Sequence, residues 1–131
     1  MGKEEFLKER AKDFYKLAKR NLHEGFYNVS AFEIEQACQL YLKYLLFKKV
    51  GDYPRVHFLS TLLEELYKAT EDERIKVFLE KHNLEIQSLE SAYLSSRYLG
   101  KEYNRLEAGS LVNFADSLIK FLEEITGEKF F

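Results

Sequence analysis

One proline and six glycines in 131 residues leave this chain few places to interrupt a helix. Between those breaks, apolar residues recur at helical steps nearly throughout. Leu7, Ala11, Phe14, Ala18 and Leu22 follow steps of 4, 3, 4 and 4. They line one face of a helix over about residues 3–24, roughly 33 Å long. Gly25 fits its C-terminal stop. A second helix spans about 28–50, with a wide apolar face marked by Phe32, Ala37, Leu40, Tyr41, Tyr44 and Leu45. Lys48 and Lys49 suit the negative end of its dipole, and Gly51, Asp52 and Pro54 end it. A third helix covers about 57–69. A short helix follows, capped by Thr70 or Asp72 and stopping near His82-Asn83. Asn83 could cap a helix over 84–98, and the last helix covers about 104–126, ended by Gly127. No stretch alternates with period two for long enough to make a strand. No linker, repeat or low-complexity segment divides the chain. The expected fold is all-α: one domain over 1–131, an antiparallel up-and-down four-helix bundle with one additional short helix.

Strict alternation of such a bundle has a spatial consequence. The 51–57 and 97–104 loops would be neighbours at one pole. His57, Arg97, Tyr98 and Tyr103, distant in sequence, would gather there.

Charged residues are 32% and apolar residues 46% of the chain, which suits a soluble globular class. The net charge of −2 exerts no global pull on nucleic acid or anionic lipid. Contact with nucleic acid would need a local basic patch. Cys38 is the sole cysteine and sits inside an apolar helix pattern, so it reads as a small core residue. The start, MGKEEFLKER, has no apolar signal core, and no 18-residue apolar run occurs in the chain. A cytoplasmic location is expected. Met1-Gly2 could open a myristoylation signal, but position 6 is Phe where Ser or Thr is required.

Four groups of residues could carry function. The stretch AYLSSRYLGKEY, 92–103, ends a helix on Arg97-Tyr98 and places Tyr103 just past the turn, with Arg105 following. A guanidinium beside phenols can hold phosphate and stack a base, or can simply cap its helix while tyrosine packs. Gln36, Gln39 and Lys43 form a polar stripe in the second helix, with Glu33 and Glu35 close by. The stripe is either a polar groove or a solvated face beside the core. His23, His57 and His82 lie on separate elements without metal-ligand spacing, so no metal or cofactor is expected. Nine Tyr and eleven Phe exceed what a slim bundle needs for its core, and the tail EKFF ends on two exposed-looking phenylalanines. That surplus suggests an aromatic interface and a homodimer. Glycine-rich phosphate loops, Gly-x-Ser-x-Gly, paired catalytic carboxylates and a DNA-reading helix are all missing.

Three stretches resemble the HEPN family of small prokaryotic helical domains. EIEQACQLYLKYLLF, 33–47, is similar to the family's second helix, with Gln36-Ala37 followed by Lys43. PRVHFLSTLL, 54–63, resembles its Pro-x-x-His-x-Leu start of the third helix, here Pro54, His57 and Leu59. The Arg97-Tyr98 pair resembles the Arg-Tyr end of its fourth helix. The resemblance implies an all-α, usually dimeric protein, often encoded beside a minimal nucleotidyltransferase, as a nucleotide-binding subunit or as the toxin of a toxin–antitoxin pair. Many members are metal-independent ribonucleases carrying Arg-x(4–6)-His. Here Arg97 is present, but positions 102, 103 and 104 are Glu, Tyr and Asn. A ribonuclease without metal needs a group that moves a proton near neutral pH, and that histidine is absent. The resemblance therefore implies a non-catalytic protein binding nucleotide or RNA phosphate through Arg97, Tyr98 and Tyr103, with His57 or Lys43 adding positive character. The alternatives are a ribonuclease using Arg97 with Glu102 or His57, and a protein–protein module with no ligand.

Overall fold

The computed structural model describes residues 3–131, so the Met1-Gly2 reading lies outside it. Six helices account for most of the chain: α1 (Lys3–Glu24), α2 (Tyr27–Val50), α3 (Leu59–Thr70), α4 (Glu73–Lys81), α5 (Asn83–Ser95) and α6 (Arg105–Thr126). The described residues contain no strand. Gly51 and Gly127 end α2 and α6 in the left-handed conformation, at φ 82° and 75°. A residue with a Cβ would be strained there, so the sequence specifies both stops. Asp72 caps α4 by accepting from the Arg74 backbone N–H, and Asn104 opens α6 with a reciprocal capping box to Glu107.

Boundaries differ from expectation in three places. The segment around His57 is extended, and α3 starts only at Leu59. Asn83 is the first residue of α5, not its cap. That helix ends at Ser95, leaving Arg97 and Tyr98 in a turn beyond it. The Ser96 hydroxyl bonds the Ala92 carbonyl, and the Arg97 and Tyr98 N–H groups both reach back to Leu94. Gly100, at φ 68°, then turns the chain away. Serine competing for backbone carbonyls closes a helix where apolar spacing alone would extend it.

α2 is the central element, touching α1, α3, α5 and α6. Its apolar residues spread around the whole circumference, as a buried helix requires. Ala11 and Ala18 of α1 and Ala31 of α2 are fully buried, and their size lets the two helices approach closely. Ser30 donates to the Ala18 carbonyl at 2.8 Å and Asn21 to Glu33 at 2.7 Å, tying the same pair. α6 runs alongside α2 in the same direction. The Tyr103 N–H, just before α6, meets Asn28 at the start of α2. Beyond its end, Glu128 meets Tyr44 and Lys48 near the end of α2.

The connection after α2 corrects the alternation argument. Residues 51–58 walk back along α2. The Tyr53 ring lies 6.5 Å from Phe47, and His57 reaches Gln39, two turns further up. α3 then heads back toward the end of α2, where Leu66 and Thr70 line one cleft with Leu45, Lys48 and Lys49. The 97–104 turn lies at the opposite end, by Asn28. The two loops therefore do not share a pole. The tail also departs from expectation: Phe130 is fully buried against Tyr15 and Tyr41, while Phe131 is exposed.

Candidate functional site

Glu35, Gln39 and Lys43 recur every fourth residue of α2 and so share one face. That face is inside the protein. Glu35 is 0% exposed, and Gln39 and Lys43 are buried as well. Buried polar groups must satisfy one another, and these do. Gln36 and Gln39 each donate to the Glu35 carboxylate at 2.9 Å. Lys43 donates to the Gln39 oxygen at 3.0 Å. His57 Nδ1 lies 3.2 Å from the same oxygen, which can only accept, so the contact favours the Nδ1–H form. Burial pushes the Glu35 carboxyl up to about 7; its two amide donors and Lys43 oppose the shift, and Glu90 adds to it. Burial lowers the Lys43 ammonium, with Glu35 opposing and Arg55 reinforcing. The solvated-face reading of this stripe is thus replaced by a buried polar chain ending on an exposed histidine.

Tyr93 connects that chain to Arg97. The His57 imidazole stacks on the Tyr93 ring at 4.8 Å and 12°. The Arg97 guanidinium lies 5.3 Å from the centre of the same ring, 5.1 Å from Phe32 and 4.6 Å from Tyr98. It donates a hydrogen bond to the Tyr98 hydroxyl. Three rings surround the cation, and among the described residues it enters no ion pair with a carboxylate. Arg97 and Tyr98 are both exposed. The arrangement offers an oriented guanidinium edge next to aromatic surface, a combination suited to phosphate and a stacked base.

The residues singled out by sequence separate into three places. His57, Lys43, Arg97 and Tyr98 are linked through Gln39 and Tyr93. Tyr103 is not among them. It is 8% exposed and packs into the core, where burial raises its phenol. Arg105 lies elsewhere, lining a cleft with His23. Glu102, the substitute for the missing histidine, lines a shallow depression with Tyr103 and Asn28. Phe32, Tyr93, Glu35 and Gln39 are the residues whose part sequence reasoning missed or left open. Tyr93 precedes Arg97 by one helical turn, a signal that could have been read. No group of three His, Cys, Asp or Glu among the described residues could hold a metal ion. No described helix is long and apolar enough to cross a membrane.

The fold is all-helical among the described residues, organised around the buried helix α2 with its chain of buried polar side chains, and it carries an arginine in the turn after α5. The family model for the HEPN domain matches residues 4–125, and the chain belongs to that family. Its fold is shared with TT1696 from Thermus thermophilus, known from a crystal structure. The likeness spans 95% of this chain and 98% of that one, with a TM-score of 0.77 and 24% sequence identity. At that identity the likeness concerns the fold alone. No curated protein matches the chain.

Proposed function

We propose that this HEPN protein binds the phosphate of a nucleotide or of RNA at Arg97 without cleaving it. The observation that carries the reading is the Arg97 guanidinium, seated on Phe32, Tyr93 and Tyr98 with its charge unmatched by any described carboxylate. Tyr98 supplies a stacking face. His57 and Lys43 add positive character from the buried chain. The reading keeps an antiparallel up-and-down four-helix bundle with one additional short helix. It includes a cytoplasmic homodimer that acts with a minimal nucleotidyltransferase, in a toxin–antitoxin type of system. Those partners rest on family membership.

Thermal melting with ATP, GTP, their diphosphates and short RNA tests the site. Ligand at about 100 times its dissociation constant stabilises the folded state by roughly 2.7 kcal/mol, a shift of several degrees at this size. Wild type should show the shift and Arg97→Ala should lose it. Equal shifts in both proteins would move the site elsewhere.

A second reading has one observation in its favour. His57 stacks on the ring that also carries Arg97. A histidine there could move the proton that the missing family histidine would, giving metal-independent RNA cleavage. Cleavage by pure protein that vanishes in both Arg97→Ala and His57→Ala would establish it. Intact RNA at high protein concentration would dismiss it.

A further inference from the structure

A cleft of about 410 Å³ opens between the second half of α1 and the first half of α6. It is separate from the Arg97 site, which is built on α2, α5 and the turn after α5. Lys19 and His23 face it from α1 and Arg105 from α6. No carboxylate lines it, although acids outnumber bases over the whole chain. Of the nearby acids, one pairs with a lining cation and one is engaged away from the cleft. Asp116 pairs with Lys19 at 2.6 Å from outside the lining, which offsets the ammonium charge and leaves Arg105 as the unpaired cation of the cleft among the described residues. Glu107 is taken up by the Asn104 N–H and Lys101. Arg105 and His23 enter no ion pair among the described residues. Ser110 and Asn113 add neutral hydrogen-bonding groups, and Leu22 and Leu106 form apolar walls. Leu106 is 81% exposed, an apolar side chain with no packing role in the fold.

Gly109 supplies an independent observation. It lies inside α6, where glycine weakens a helix. Its backbone is ordinary, and a Cβ built on it would meet nothing within 4 Å. Neither conformation nor packing therefore requires glycine there. Gly109 belongs to the cleft lining and leaves open space there. A residue that costs helix stability without a structural reason points to use of the space it leaves.

From these features we infer that the α1–α6 cleft binds a small phosphomonoester, with Arg105 and Lys19 on the phosphate and Leu22 and Leu106 against the organic part. The volume falls within the range of small-molecule sites. The side chains of Arg105 and Lys19 carry the recognition; the capping box takes up the Asn104 and Glu107 amides at the start of α6.

The test is an amide NMR titration of the full chain with ribose 5-phosphate, and separately with inorganic phosphate. Saturable shifts are expected at Leu106, Gly109, Ser110 and Asn113 with ribose 5-phosphate at millimolar concentration. Arg105→Ala should weaken them about tenfold, the usual scale for one hydrogen bond to a charged group. Gly109→Leu should abolish them by filling the cleft. Gly109→Ala is the folding control and should melt no lower than wild type. Arg97→Ala should leave the titration unchanged, which separates this site from the nucleotide reading. Absence of saturable shifts, or shifts that survive Gly109→Leu in a folded protein, would overturn the inference. Equal affinity for inorganic phosphate would overturn the part played by Leu22 and Leu106.

Discussion

Glu35 is a carboxylate enclosed in the centre of a small helical protein, and its ionisation couples the core to pH. Folded, it keeps its proton to about pH 7; unfolded, it loses it near 4.5. Between those values the native state binds more protons, so stability falls as pH rises through the window and levels off above it. The full effect is on the order of 3 kcal/mol. Glu35→Gln removes this titration. Urea unfolding at pH 5 and pH 8 should show a clear loss for wild type at the higher pH and a much smaller one for the variant. Parallel behaviour would mean that Glu35 is charged throughout. Arg97 and Tyr98 were legible as a candidate pair because a guanidinium beside a phenol is distinctive chemistry. Glu35, Gln39 and Lys43 were not resolved, because a polar residue every fourth position reads equally as a solvated face.

Among the elements, α6 begins where its sequence says it should. Asn104 and Glu107 satisfy two amides that no helical carbonyl can reach. Asn104→Ala should cost about 1 kcal/mol, read from the urea midpoint with an unchanged slope. The end of α5 was harder to read. Apolar periodicity continues past it, since Tyr93, Leu94 and Tyr98 keep helical spacing. Ser96, whose hydroxyl bonds the Ala92 carbonyl, and Gly100 mark the early end of the helix. That early end puts Arg97 in a turn, with its guanidinium laid over Phe32 of α2. α2 showed its length and its stop in the sequence. It did not show that four other helices would cover it, because coverage depends on the partners and not on the helix itself.

For the whole molecule, the tail and the segment after α2 decide how the parts close. Phe130 is 0% exposed, with its N–H on Glu123 at 2.7 Å and its ring 4.8 Å from Tyr41. Phe130→Ala should cost about 3 kcal/mol, and Phe131→Ala, at an exposed position, less than about 1 kcal/mol. Equal losses in chemical denaturation would contradict this placement. Two neighbouring phenylalanines look alike in sequence, and only the pocket between Tyr15 and Tyr41 distinguishes them. By itself the sequence determined the all-helical class, the approximate span of each helix and most of its stops. These follow from periodicity, glycine and capping, which act over a few residues. The tertiary structure alone decided that 51–58 folds back along α2, that His57 meets Tyr93, that Tyr103 is core and that Arg105 faces a separate cleft. Each depends on contacts between residues far apart in the chain, set by packing and by the burial of polar groups that must find partners.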